Sequence, residues 1–538
     1  MKRKKYDVHK ILKSPTFLLV LIMLFALFLQ ANFFIGYTAH PSDEGMYIRD
    51  SYMMYEGTFI ENLPHFYKSL PSNGLHDPSE AFLFRPAFLF PMSLFWYVFG
   101  INDFSTVLWV ILCFQGIIIV SYFLGNILFN KYVGLLSAFL ISILPLDLLY
   151  STRVSIDIPL TFFMGLSFLL FLMGEKRMES GKLNGRGVEK YYVLSGLVLG
   201  LAYLTKITAI TLFGVVIVYL LYKRKIHKYH VLFFGSFLVI FLLEGLFYQS
   251  VTGHFFLREV VDHGMIKSKH IYEPSQDITI SNFLKLRYNE SSPLFYTKYI
   301  LGYPIPVEYF YPRIWIYYSF VLLSILYFVI FRDRNVDVLL IWLLVLFLWL
   351  EFGFNSVTVD GSHVLNYWVL QKHDRYMMII TIPSALILSY FLFSLKKFLG
   401  GKIFPFVIIL VIALTSIHYV SLSANELKDV TSDIKDAYIF LGNYPKKPIY
   451  CDTICVEFLK YYHGFDDSTK IFVIPKEYHK LKNIRDSYAI VGGSRTVGIC
   501  CIEDMQPKKI PESWRLLYED DKDITSYRGS HMKIYYIP

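Results

Sequence analysis

Charge is what this chain has least of. Only 18% of its 538 residues are Asp, Glu, Lys or Arg, against 55% hydrophobic and 18% aromatic. A soluble domain carries about a quarter of its residues charged, and here apolar runs of lipid-spanning length recur along the sequence. The chain therefore reads as a polytopic membrane protein. It also lacks internal repeats and low-complexity segments. Many secondary transporters are built from paired halves with interrupted helices, so that absence argues against transport of this kind. No basic patch interleaved with aromatics stands outside the short loops, so the net charge of +9 is not the footprint of a nucleic-acid partner. Basic residues gathered between apolar spans record membrane orientation instead.

That orientation can be read directly. The N-terminal "MKRKKYDVHKILKS" carries six Lys/Arg against one acid, which places it in the cytoplasm. The apolar run from Pro15 to about Tyr37 lacks a small-residue cleavage site and is too long for a signal-peptide core, so a retained span is expected. "HPSDEGMY", residues 40–47, then lies outside. The basic loops "EKRMESGKLNGRGVEK" (175–190), "KRKIHK" (223–228) and "KKFLGGK" (396–402) should all be inside.

Sidedness settles the count of crossings where hydropathy is ambiguous. Four apolar stretches, 84–101, 104–129, 132–150 and 158–173, separate Asp43 from the basic loop at 175. Four crossings would leave that loop on the wrong face. "FRPAFLFPMSLFWYVFG" is short, opens on Arg85, and contains Pro86 and Pro91. It is rich in aromatics suited to the headgroup zone, so an interfacial helix is expected there. Asp157 then shares a face with Asp43. The run 191–222 has basic loops at both ends, which predicts two short spans hinged near "YLTKIT" with Lys206 at the outer turn. Further spans are expected at 231–249, 313–331, 337–353, 376–395 and 403–420, with long outer loops before Pro312 and Arg375. The fold class is an α-helical membrane protein of about 11 spans, residues 1–420, with an outer C-terminus.

From Ser421 to Pro538 the composition turns soluble and predicts a small extracytoplasmic α/β domain. Helices are expected at "DIKDAYIFLGNY" and "CVEFLKYYHG", strands at "KPIYCD", "KIFVIP", "DSYAIVGG", "WRLLYED" and "MKIYYIP". "VGGSR" after a strand reads as a turn, with a phosphate-binding turn the lesser option, since nucleotides are scarce outside a cell. Four of the five cysteines, Cys451, Cys455, Cys500 and Cys501, fall in this domain, where pairing between the two groups is permitted and a zinc site is the lesser option. Asn289-Glu290-Ser291 is a glycosylation sequon in an outer loop.

The polar residues gather on one face. Asp43, Glu44, Arg85, Arg153, Asp157, Lys206, Asp262, His263 and Arg375 are all expected at the outer surface, with Asp147 and Glu244 deeper. Mixed charge at one interface suits chemistry on a lipid headgroup. A sugar carried on a polyprenyl phosphate has a leaving group that departs as an anion, so cations rather than a general acid are required. Arg and Lys hold the phosphate and stabilise its developing charge. The acceptor hydroxyl or amine is a poor nucleophile until a carboxylate takes its proton.

The motifs carry a resemblance. "DEGMY" after the first span, "RPAFLFPMSLFWYVFG", "STRVSIDIPLTFF", "LSGLVLGLAYLTKITAI" and "KHDRYMMIITIP", in this order over residues 10–395, resemble the GT-C membrane glycosyltransferases of the protein O-mannosyltransferase and lipid A aminoarabinose transferase type. The resemblance implies a polyprenyl-phosphate sugar donor, such as dolichyl phosphate mannose, and inverting transfer of one sugar to a protein, glycan or lipid acceptor. It also implies an outer cavity, in the plasma membrane or the endoplasmic reticulum. Asp43 matches the base, Glu44 its neighbour, and Asp157 a second acid near the acceptor or the first loop. Arg85, Lys206 and Arg375 match donor-phosphate contacts, with Arg153 beside them. His263 resembles a histidine that in some members helps hold a divalent metal, but those members carry an acid where this chain has Phe84.

The Trp-Trp-Asp-Tyr-Gly motif of oligosaccharyltransferases is absent, and the second outer loop offers the single acid of "SID". Transfer of whole glycans is therefore not expected. The alternative from another class is a polyprenyl-lipid transporter or scaffold that binds headgroups without turnover. Tags inserted beside residues 43 and 157 should both be labelled from outside, and one within 175–190 from inside. Labelling of 43 and 157 from opposite faces would rule out a shared site.

Overall fold

The computed structural model describes residues 14–33, 43–69, 85–179, 187–258, 295–300, 315–359, 365–369, 374–398, 403–466, 468–475, 477–494, 509–520 and 528–538. Helix α1 (Pro15–Phe33) is followed by α2 (Asp43–Tyr55), α3 (Phe59–Ser69) and α4 (Pro86–Phe99). Then come α5 (Asp103–Leu128), α6 (Lys131–Ser142), α7 (Pro145–Tyr150), α8 (Asp157–Glu179) and α9 (Glu189–Thr205). Next are α10 (Thr211–Lys223), α11 (His230–Thr252), α12 (Trp315–Phe331), α13 (Asp337–Phe352), α14 (Thr381–Phe398) and α15 (Ile403–Leu441). Among the described residues, seven helices are long and apolar enough to cross a bilayer, and 86–99, 131–142, 207–223 and 315–331 are shorter apolar helices. The chain is an integral membrane protein.

Local chemistry sets several of the helix boundaries. Asn102 accepts from the Ser105 amide at 2.9 Å while the Asn102 amide donates to Ser105 Oγ at 3.2 Å, a reciprocal cap that starts α5. Asn130 accepts from the amides of Tyr132 and Val133 and starts α6. The stretch expected as one span over 132–150 is two pieces, because α6 stops at Ser142 and α7 opens on Pro145. A proline pushes the residue before it out of the helical region, and Leu144 is extended at ψ 126. The hinge expected near Lys206 is present. Lys206 is extended (φ −157, ψ 134) between α9 and a short 3₁₀ turn, Ile207–Ile210.

Close helix crossings rest on small residues, as they must where lipid provides no hydrophobic drive. On α5 and α6, a Cβ on Gly125 would lie 2.6 Å from Cα of Gly134, and one on Gly134 would lie 2.4 Å from the Tyr122 carbonyl. Ser121 and Ser137 hydrogen-bond across the same crossing. On α8 and α9, Ser167 and Ser195 each donate to the other's carbonyl, at 2.9 and 2.7 Å.

Helix α15 runs 39 residues without interruption, so the domain boundary expected at 420/421 falls inside it. Beyond it lie β3 (Ile449–Cys451), helix α16 (Thr453–Tyr462), β4 (Ile471–Val473), β5 (Ser487–Ser494), β6 (Arg515–Glu519) and β7 (Arg528–Ile537). They form a sheet of order β4-β3-β5-β7-β6, with β3 parallel to β4 and β5, and β7 antiparallel to β5 and β6. The end of α15 and α16 pack on one face through Ala437, Leu441, Cys455 and Leu459. Ile474, Leu481 and Trp514 cover the other. A hairpin of β1 (Phe354–Val359) and β2 (Leu365–Val369) follows α13 and was not expected from the sequence.

Gly134→Val should lower the thermal unfolding midpoint of the detergent-solubilised protein, because the added carbons have no room at the α5–α6 crossing. Gly235→Ala, where nothing lies within 4 Å, should leave it unchanged or raise it by the helix-propensity gain of roughly 1 kcal/mol.

Candidate functional site

Four segments far apart in the chain meet: the start of α2, the turn 151–157 between α7 and α8, the hinge at Lys206, and the 3₁₀ turn Asp374–Ile380 before α14. The turn 151–157 is the hub. Its Arg153 pairs with Glu44 of α2, and both are buried. Its Asp157, 1% exposed, accepts from Lys206 Nζ at 2.7 Å, and Arg375 Nε lies 3.7 Å from its other oxygen. Lys206 Nζ also sits 3.9 Å from the centre of the Tyr376 ring, and Arg375 lies over the same ring at 5.8 Å. Tyr376 thus gives both cations an electron-rich face to rest on.

Each segment has a local reason for its place. Asp157 is the first residue of α8, where the helix dipole favours a carboxylate, and its amide donates to Ser155 Oγ at 3.3 Å. Lys206 reaches Asp157 because the break between α9 and α10 turns its backbone out of the helix. The hub is also anchored from below by groups the sequence reading did not single out. Gln30 of α1 donates to Ser151 Oγ at 2.9 Å and accepts from Gln115 of α5 at 2.9 Å. Thr381 donates to Asp147 at 3.1 Å, tying α14 to α7. Amides inside lipid-length apolar runs are expensive unless paired, which is the signal that could have found Gln30 and Gln115.

Arg85 is buried at the N-terminus of α4. That helix packs on α2, where Tyr47 meets Phe88 edge-on at 5.2 Å, and it also packs on α9. The structure thus brings Glu44, Arg153, Asp157, Lys206 and Arg375 together, and Arg85 begins the helix that packs on α2. Asp43 is the first residue of α2, but its side chain lies outside the described residues, as do Asp262, His263, Phe84, Asn289, Cys500 and Cys501. Cys451 and Cys455 are buried free thiols, pushed above their ordinary range by desolvation.

The charges decide what the arrangement can do. Arg153, expected beside the phosphate contacts, is engaged with Glu44. Lys206 and Arg375 both pair with the Asp157 carboxylate, two cations of the kind that hold an anion. Asp157 is held between these two cations. Among the described residues no three Asp, Glu, His or Cys side chains come together to hold a metal, and the acids at the hub face Arg and Lys. The described donor set does not fit a metal.

Arg153→Met should destabilise the protein, by up to about 3–5 kcal/mol, because Glu44 would stay buried after losing the Arg153 guanidinium. The double variant Glu44→Gln/Arg153→Met should recover most of that loss in thermal unfolding. Equal loss in the double variant would show that the pair contributes little.

The family model for dolichyl-phosphate-mannose-protein mannosyltransferase matches residues 84–246, which hold Arg85, Arg153, Asp157 and Lys206. No curated protein matches the chain by sequence. Two groups of solved structures are similar to it. ArnT from Cupriavidus metallidurans, bound to undecaprenyl phosphate, is 14% identical over 96% of this chain and 97% of that one, with a TM-score of 0.54. The oligosaccharyltransferase of Archaeoglobus fulgidus, tethered with an acceptor peptide, is 14% identical over 90% of this chain and 70% of that one, with a TM-score of 0.52. Likeness of this kind, over nearly the whole length, identifies architecture: the chain has the GT-C fold of membrane glycosyltransferases.

Proposed function

We propose that this protein is an inverting glycosyltransferase that moves a single sugar from a polyprenyl phosphate, dolichyl phosphate included, to an extracytoplasmic acceptor. The acceptor is a protein hydroxyl, a glycan or a lipid. The reading places about 11 spans in the membrane, the N-terminus in the cytoplasm, and the site and the C-terminal α/β domain outside. The observation that carries it is the convergence of Asp157, Lys206 and Arg375 next to the Glu44–Arg153 pair. That ArnT was solved with undecaprenyl phosphate supports the choice of lipid. The acceptor peptide on the archaeal oligosaccharyltransferase supports a protein acceptor.

In this reading Lys206 and Arg375, with Arg85 alongside, hold the donor phosphate. The acceptor oxygen attacks the anomeric carbon from the side opposite the phosphate. The glycosyl–oxygen bond breaks, and polyprenyl phosphate leaves with the bonding electrons as an anion. No general acid is needed, because the cations take up the developing charge. The acceptor proton passes to Asp43. Glu44, fixed by Arg153, orients the first turn of α2, and Asp157 keeps Lys206 and Arg375 in place.

The test is incubation of the purified full-length protein with polyprenyl-phosphate mannose or glucose and peptide, glycan and lipid acceptors. Asp43→Asn should cut turnover about 100-fold or more while polyprenyl phosphate still binds. Lys206→Met and Arg375→Met should each weaken polyprenyl phosphate binding about 10-fold. Undiminished turnover in Asp43→Asn would remove the base assignment. Binding without turnover for every donor would favour a headgroup-binding transporter or scaffold.

A further inference from the structure

Helix α16, from the soluble C-terminal part of the chain, is seated on the first turn of α2. A Cβ on Gly45 would lie 3.2 Å from Cζ of Phe458 and 3.3 Å from Oε2 of Glu457. Gly45 follows Glu44 directly, so the Phe458 ring lies against the backbone that carries both acids of the first loop. Phe458 is 2% exposed and belongs to the core of the membrane part, not to that of its own sheet. Further contacts join α2 to this unit. Arg49 of α2, bonded to its neighbour Asp50 at 3.0 Å, lies 4.0 Å from Glu457, and the rings of Tyr52 and Phe465, just past α16, stack at 3.8 Å.

The same unit is fixed to the start of α5 by a separate polar cluster. Asp103 pairs with Lys435 and accepts from Tyr461 at 3.3 Å. The Tyr461 and Thr106 hydroxyls lie 2.8 Å apart, and Trp96 Nε1 donates to Thr106 at 2.9 Å. That cluster holds the unit at α5, and its Trp96 also meets Tyr55 at the far end of α2, 6.4 Å between ring centres. Of the contacts between the unit and α2, those of Phe458 and Glu457 at Gly45 lie nearest the acids, and Gly45 is the residue whose missing side chain lets the Phe458 ring approach.

We propose that Phe458 is a positioning residue: by packing on Gly45 it fixes the turn of α2 that presents Asp43 and Glu44, so the C-terminal unit is part of the transfer apparatus. This rests on reading the first-loop acids as catalytic. Misplacing a proton acceptor by about 1 Å can cost two orders of magnitude in rate. Its consequence is a loss in kcat with donor affinity intact.

The experiment uses full-length protein in lipid nanodiscs with polyprenyl-phosphate mannose or glucose, whichever donor the wild type turns over. Phe458→Ala is expected to lower kcat about 10- to 100-fold with the donor KM changed less than about twofold, and Phe458→Leu to retain most of the activity. Gly45→Val should lower kcat likewise. The double variant Gly45→Val/Phe458→Ala, which refills the space from the other side, should exceed either single variant. Unchanged kcat in Phe458→Ala, or losses that simply add in the double variant, would overturn the proposal. Hydrogen exchange of the α2 amides is an arm independent of activity. Phe458→Ala should speed it while the amides of α5 stay as in wild type, and unchanged exchange in α2 would overturn the proposal on its own. Wild-type protein that turns over no donor would instead overturn the function proposed above, and the exchange result would still decide the role of Phe458.

Discussion

The structure depends on one short turn, residues 151–157, whose two charged side chains are each completed by a distant segment. Arg153 captures Glu44 and Asp157 captures Lys206 and Arg375, so α2, α9, α14 and the α7–α8 junction are tied at a single point. Buried charges are tolerated only when paired with good geometry, and removing one partner costs far more than the pair contributes. Such a junction is a constraint more than a source of stability. It dictates where four backbone segments must sit, and the apolar packing around it provides the free energy.

The polar groups beneath the turn extend the same logic into the apolar part. Gln115, Gln30 and Ser151 form a chain of amide and hydroxyl bonds, and Asp147 is bonded by Thr381. These bonds link α1, α5, α7 and α14. The arrangement of Asp157, Lys206 and Arg375 is therefore supported by polar groups outside it.

Much of this could be read in the sequence, and the failures have physical causes. Lys206 was legible because basic loops at both ends of 191–222 force an even number of crossings, hence a turn between them. The strands from Ile449 to Ile537 were legible because alternating apolar residues and turn signals are local. The break at Pro145 was missed because hydropathy averages over it, although the proline announces it. Unbroken α15 was missed because composition changes at 421 while helix propensity does not. Side-chain pairing was hardest: the sequence placed Arg153 and Glu44 on one face but could not say that they neutralise each other, since that depends on the crossing of α2 over the α7–α8 turn. The contact of Phe458 with Gly45, across more than four hundred residues, had no local signal at all.

Helix α15 has a mechanical consequence. Its 39 residues span ~58 Å, about twice the ~30 Å hydrocarbon thickness. The unbroken rod enters the sheet unit at its far end, where Ala437 and Leu441 pack. A rod without a hinge carries any tilt of its lipid-embedded half to its other half, with the displacement growing along its length. The angle that this helix adopts in a thinner or thicker bilayer is thus a lever arm acting on the unit at its tip.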